Sequence, residues 1–358
     1  MTNAPIRVVV ADDSATVRLW LRQELVPEFG FEVVGEAANG AECVELVDRL
    51  RPSIVVMDVD MPQMDGIEAT RQVMSRAPTP ILIFTASMIA RERKVAFEAL
   101  AAGALDVYHK PRSVVDGGNG GANGEADHLR QLLTLLAPIK VIRRRSSRDS
   151  NPYLAPAAPT AALPVASTHR ILAIGASTGG PMAVLTVLKG LPRTIPLCIL
   201  LVQHQSPEFM ADFISWLADN VSLPVKAAVE GDMVRPGVVF VAPADQHMRL
   251  QADGRISLDK EPPMHACRPA ADALFSSVAR AVGPKAIGVI LTGIGHDGAA
   301  GLLEMRRSGA LTVAQDEASS VVYGMPRAAV ELDAAMHQLS AEQMGTFLMA
   351  RARGEAVS

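Results

Sequence analysis

Branched apolar runs recur along the chain and alternate with stretches whose apolar residues fall three and four positions apart, the alternation that builds parallel βα units. In the first part the strand-like runs are IRVVVADD, FEVVGEA, SIVVMDVD, ILIFTAS and the shorter DVYHKP. Between the second and third, Cys43, Leu46, Val47 and Leu50 fall at i, i+3, i+4 and i+7, one face of a helix. A second series follows: RILAIGAS, LCILLVQH, VKAAVEG, GVVFVAP, AIGVILTG and LTVAQDE. MRLQADGRISLD interrupts it, because Asp253-Gly254 stands between alternating residues and predicts a β-hairpin. The expected fold class is α/β in both halves, each a layered parallel sheet with helices.

The two series are separated by GGNGGANG, a short helix-like piece, LRQLLTLLAPIKVI, and RRRSSRDSNPYLAPAAPTAALP. Glycine, proline, serine and alanine at that density bury too little apolar surface to offset the cost of ordering, so 113–167 reads as flexible linker. A length of 358 residues agrees with two domains at about 150 residues each. With 20% charged residues and a net charge of -4, no basic excess points to nucleic acid or to an anionic membrane, and RRRSSR lacks the interleaved aromatics of a nucleic-acid contact. Cys43, Cys198 and Cys267 form no CxxC pair, which fits a reducing cytoplasm. MTNAPIRVVVADD lacks the form of a signal peptide and no run approaches about 18 apolar residues, so a cytoplasmic chain without membrane insertion is expected.

Candidate chemistry gathers where strands end. Asp12 and Asp13 close the first strand, Asp58 the third and Thr85 the fourth, while Lys110 follows the fifth. In a parallel sheet these ends share one edge. Clustered carboxylates repel one another and call for a hard cation, which Mg²⁺ with oxygen ligands satisfies. Beside such a cation and Lys110, the central carboxylate, Asp58, is placed to attack a phosphoryl donor and form an acyl phosphate. Taken singly, Asp12 or Asp13 reads as a helix cap and Lys110-Pro111 as an exposed turn; their convergence favours a site.

In the second series the turn GASTGG, residues 175–180, joins a strand to the helix-like PMAVLTVLKGL. It misses the dinucleotide fingerprint, with serine in the place of the second glycine, and has no Walker-type Gly-Lys-Ser/Thr. It does match Gly-x-Ser-x-Gly, which exposes a serine nucleophile on a tight strand-to-helix turn. Such a serine needs a base, and the base needs an orienting carboxylate. His204 ends the next strand and Asp297 follows a later one, in the order Ser…His…Asp, unlike the order of α/β-hydrolases. His296 is a rival base, His247 and His265 are candidates to line the site, and Asp297 has the alternative role of capping the following helix.

VVADDSATVR, VVMDVDMPQMDG, ILIFTAS and HKP resemble a response-regulator receiver domain, a flavodoxin-like (βα)5 fold, over 5–112. The resemblance implies Asp58 as phosphoacceptor, Asp12, Asp13, Asp58 and the Asp60 carbonyl around Mg²⁺, and Thr85 and Lys110 sensing the phosphoryl group. Where many receivers carry an aromatic switch three residues before the lysine, this chain has Val107, followed by Tyr108. AIGASTGG, LLVQHQSPEF, APADQHM, CRPAADALFSS, LTGIGHDGAAG and AQDEASSVVYGMPRAAV are similar to the catalytic domain of chemotaxis protein-glutamate methylesterases, the CheB family, over 168–350. That likeness implies Ser177 as nucleophile, His204 as base and Asp297 as its orienter, with no cofactor for the esterase site. It also implies an oxyanion hole from the backbone N–H groups of His204 and Ile294, with Thr178 supporting the imidazole. The HACRPAAD segment departs from the commoner wording, which has histidine directly before Arg-Pro. The implied activity is demethylation of glutamate methyl esters and deamidation of glutamines on methyl-accepting chemotaxis receptors, controlled by phosphorylation from a CheA-type histidine kinase.

Overall fold

The computed structural model describes residues 4–85, 97–111, 114, 123–141 and 170–354. They fall in two compact units, Met1–Pro164 and Val165–Ser358. Among the described residues no helix is long and apolar enough to cross a membrane.

The first unit is built on β1 (Ile6–Ala11), β2 (Phe31–Ala37), β3 (Ile54–Met57), β4 (Ile81–Thr85) and β5 (Asp106–His109), parallel throughout in the order β2-β1-β3-β4-β5. The last two residues of ILIFTAS lie outside the described residues. β3 and β4 are buried along their whole length, which is why they read as unbroken apolar runs. Helices α1 (Ala15–Glu24), α2 (Gly40–Leu50) and α3 (Gly66–Arg76) connect the first four strands. Asn39 caps α2 by accepting from the Glu42 N–H, and Asp65 caps α3 by accepting from that of Glu68. The order reverses between β1 and β3, so the loops after these strands open a crevice at their carboxyl ends.

The linker expectation for 113–167 is corrected over α4 (Asn123–Leu136). Leu129, Leu132, Leu133 and Leu136, spaced as one helical face, are all buried. Arg130 reaches Glu24 Oε2 at 2.6 Å and lies over the Phe29 ring, and the Tyr108 hydroxyl donates to the Glu125 carbonyl. The helix-like piece expected within the linker is thus a packed helix of the first unit. Of the expected linker, 113, 115–122 and 142–167 lie outside the described residues.

The second unit holds a seven-stranded parallel sheet: β6 (Ile171–Ala176), β7 (Cys198–Gln203), β8 (Val225–Ala227), β9 (Val239–Val241), β12 (Ala286–Ile290), β13 (Leu311–Gln315) and β14 (His337–Leu339), in the order β14-β13-β12-β6-β7-β9-β8. The expected hairpin is present as β10 (His247–Leu250) against β11 (Ile256–Asp259), with Gly254 left-handed at its turn. Helix α5 (Gly180–Lys189) follows β6 and α6 (Pro207–Asn220) follows β7. Next come α7 (Ala271–Val282), α8 (Ala299–Arg307), α9 (Met325–Glu331) and α10 (Ala341–Ala352). α7 packs closely on β6: a Cβ at Gly175 would lie 2.8 Å from Ala271 Cβ and 3.2 Å from the buried Phe275 ring. A side chain there would lift α7 off the strand that carries Ser177.

Candidate functional site

β12, β6 and β7 are adjacent at the centre of the second sheet. Ser177 follows β6 and His204 follows β7, one residue beyond the paired Ala176 and Gln203. Asp297 stands in the loop between β12 and α8. The His204 N–H donates to the Ala176 carbonyl at 2.8 Å. This corrects the expected oxyanion hole, because the His204 N–H is already engaged in closing the sheet. The backbone N–H groups of Ile294 and Thr178 make no hydrogen bond among the described residues and are available as donors. A Cβ at Gly293 would lie 2.6 Å from Ser177 Cβ, so the loop bearing Ile294 and Asp297 crosses directly against the serine turn. Gly180 N–H closes that turn on the Ser177 carbonyl, and its left-handed residue is Gly179, where a Cβ would meet Val321 at 2.5 Å.

His204 Nε2 lies 2.8 Å from Asp297 Oδ2. Asp297 also accepts from the N–H of Ala271 at 2.6 Å and of Asp272 at 3.0 Å. Burial favours its neutral form, yet the His204 bond and charge and the two N–H donors prevail and hold its carboxyl below the usual range. An ionised carboxylate only accepts, so Nε2 carries a proton, and in the neutral imidazole Nδ1 holds the lone pair. Burial opposes charging His204, but its bonds to Asp297 and Cys267 lift it to about 9. Cys267 Sγ stands 3.7 Å from Nδ1. Ser177 Oγ makes no hydrogen bond among the described residues; catalytic hydrogen bonds are often long before substrate binds.

The other histidines have different partners. His247 is buried, with Nδ1 accepting from the Ala270 N–H and Nε2 near the Pro262 carbonyl, so it braces the chain before α7. His265 pairs with Asp272 at 2.9 Å, and His296 packs edge-on against His265. Among the described residues the imidazole of His204 bonds Asp297 and Cys267. Thr178 is buried, with its carbonyl accepting from Thr292 Oγ1. Gln203 escaped the sequence reading altogether: its Nε2 donates to the carbonyls of Ser177 and His204, at 2.8 and 2.9 Å, tying the two loops together.

In the first unit, Lys110 Nζ lies 2.7 Å from Asp12 Oδ2 and 2.9 Å from Asp58 Oδ2, all three side chains buried. Burial pushes the Asp58 carboxyl up, Lys110 opposes and Asp12 adds to it, leaving it at about 6. Asp12, Asp13 and Asp58 present oxygens within 4.8 Å of one another, a hard-donor set that fits Mg²⁺. Asp60 is exposed on the loop after β3, and Thr85 is buried at the end of β4. Val107 is buried on β5, while Tyr108 stacks on Phe84, which stacks in turn on Trp20. Tyr108 is thus packed between β4 and α4 by its hydroxyl and its ring.

Fold and sites together define a class: a receiver-type unit joined to a unit of serine-hydrolase type. The family model described as CheB methylesterase matches 172–348, and that described as response regulator receiver domain matches 8–116. A protein-glutamate methylesterase/protein-glutamine glutaminase of Geobacter metallireducens is 43% identical over 96% of this chain and 98% of its own. One from Myxococcus xanthus is 41% identical over 99% of each. The chain is also similar to the crystal structure of the Thermotoga maritima CheB methylesterase catalytic domain, at 36% identity, covering 51% of this chain and 97% of that one with a TM-score of 0.49. This chain belongs to the protein-glutamate methylesterase/protein-glutamine glutaminase family, the CheB enzymes with an N-terminal receiver domain.

Proposed function

We propose that the second unit hydrolyses glutamate methyl esters on methyl-accepting chemotaxis receptors, releasing methanol, and deamidates selected receptor glutamines, in the cytoplasm and under control of Asp58 phosphorylation by a CheA-type histidine kinase. The observation that carries this reading is the His204–Asp297 pair bordering Ser177 at the centre of the sheet edge. Ser177 Oγ attacks the ester carbonyl while its proton passes to His204 Nδ1, and Asp297 stabilises the imidazolium. The N–H groups of Ile294 and Thr178 take the oxyanion. Collapse of the tetrahedral species expels methanol, which leaves with the proton from His204. Water, deprotonated at Nδ1, then cleaves the acyl-enzyme to glutamate and free Ser177. With a glutamine substrate the leaving group is ammonia.

In the first unit Asp12, Asp13, Asp58 and the Asp60 carbonyl would hold Mg²⁺, which when bound offsets the negative charge of carboxylates and phosphate. Lys110 and Thr85 then hold the phosphoryl oxygens on Asp58.

Methanol release from membranes bearing methylated receptors, measured beside hydrolysis of a small ester, tests the substrate. Turnover of the ester with no release from receptors would assign the enzyme to another methylated protein. The base must be neutral to accept the Ser177 proton, and its pKa lies near 9 rather than at the ordinary imidazole value. kcat/KM for the small ester is therefore expected to climb with pH through about 9 and to fall about tenfold per pH unit below it. A plateau already reached at neutral pH would contradict the strength of the Asp297 and Cys267 contacts.

A further inference from the structure

Of the chain's three cysteines, Cys43 and Cys198 are buried, and burial pushes their thiols up to about 12 and about 11. Neither supplies a thiolate at neutral pH. Cys267 is half-buried and sits at the end of a tight turn, bridged to Met264 by hydrogen bonds in both directions. The two central residues of the turn, His265 and Ala266, are both left-handed, with φ of 50° and 62°. Non-glycine residues hold that conformation only where their surroundings impose it. Here His265 is fixed by its bond to Asp272, and the result is a thiol held against the His204 imidazole.

The donor geometry is that of a metal ligand pair. Asp297 occupies Nε2, so the Nδ1 lone pair is the one directed away from the carboxylate, and Cys267 Sγ stands 3.7 Å from it. Two ligands of a tetrahedral zinc ion, with Zn–S of about 2.3 Å and Zn–N of about 2.0–2.1 Å, stand about 3.6 Å apart. A histidine whose second nitrogen donates to a carboxylate is also the usual form of a zinc-binding histidine. His204, Cys267 and Asp297 all offer donor atoms within 4.8 Å of one another, with Asp297 already engaged by His204 and two backbone N–H groups.

We propose that Cys267 Sγ and His204 Nδ1 form a binding site for a thiophilic divalent cation of the Zn²⁺ type, which blocks hydrolysis by occupying the nitrogen that must accept the Ser177 proton. On binding, the Cys267 proton leaves to solvent, and water fills the remaining positions around the ion. A mixed sulfur and nitrogen pair discriminates against Mg²⁺, which keeps to oxygen donors, so the two units answer to different metals. The inhibition rests on His204 being the base of the proposed esterase; the metal site itself does not.

The test uses the full chain with Mg²⁺ held constant. Titration with Co²⁺ is expected to raise a thiolate-to-cobalt charge-transfer band in the near ultraviolet, lost in Cys267→Ala and weakened in His204→Gln, although Cys43 and Cys198 persist in both. Zn²⁺ is expected to suppress small-ester hydrolysis reversibly, with recovery on chelation, and Cys267→Ala should require at least about tenfold more Zn²⁺ for the same loss. Absence of the band in the natural chain, its survival in Cys267→Ala, or equal zinc sensitivity of the two proteins would overturn the proposal. A chain that shows the band yet hydrolyses no ester would leave the metal site standing and remove the esterase reading.

Discussion

Ser177→Ala and His204→Ala are each expected to lower ester hydrolysis by about four to six powers of ten, and the double variant to be scarcely slower than either, because nucleophile and base act as one unit. Removing Oγ leaves nothing to form the acyl-enzyme, and removing the imidazole leaves Oγ with its proton. Asp297→Asn should carry a further penalty. Its two oxygens accept from His204 and from the N–H groups of Ala271 and Asp272, and an amide offers one oxygen and one NH₂ group to the same donors. Either the imidazole loses its acceptor or a buried backbone N–H faces an NH₂, so this variant should lose both turnover and thermal stability. Steady-state rates with a small ester and thermal melts of all four proteins decide the matter. Near-normal turnover of His204→Ala would move the base role to another histidine, His296 being the candidate adjoining Asp297.

Most of this architecture is legible in the sequence because burial writes it there. β3, β4, β6, β7 and β12 are buried along their length, and such strands appear as uninterrupted apolar runs whose last residues mark the functional edge. The elements that escaped are those whose signal is short or disguised. β14 has only the three residues His337, Gln338 and Leu339, pairing along Val313–Gln315, too few for any periodicity to emerge. α4 is legible as a helix-like piece, but the glycines before it disguise that its four leucines, spaced as a helix face, are buried as part of the first unit. At the site, the strand ends place Ser177 and His204, but the use of each backbone N–H depends on register. The Ala176–Gln203 pairing commits the His204 N–H to the sheet. Cys267 and Gln203 act through contacts across the fold, which no local pattern carries.

Asp58→Asn is expected to abolish two things together: the base-labile phosphoryl adduct formed with acetyl phosphate and Mg²⁺, and any rise in receptor demethylation that this treatment produces in the natural chain. An amide in place of Asp58 Oδ2 has no nucleophilic oxygen, while Lys110 keeps its 2.7 Å contact with Asp12, so the variant should fold. At a site where two carboxylates pair with one lysine and a third lies beside them, a phosphoryl group brings a charge of about −2 near neutral pH. Its effect on hydrolysis is expected through a change in the balance between states of the receiver. Each tenfold gain in rate by such a shift requires the two states to differ in their response by about 1.4 kcal/mol. Under the reading that the unphosphorylated receiver restrains access of protein substrates, acetyl phosphate should raise methanol release from receptor membranes more than it raises turnover of a small ester. Stimulation that persists in Asp58→Asn would displace the phosphoacceptor from Asp58. Equal stimulation of receptor and small ester would mean that the receiver tunes the chemistry at Ser177 and His204 rather than access to it.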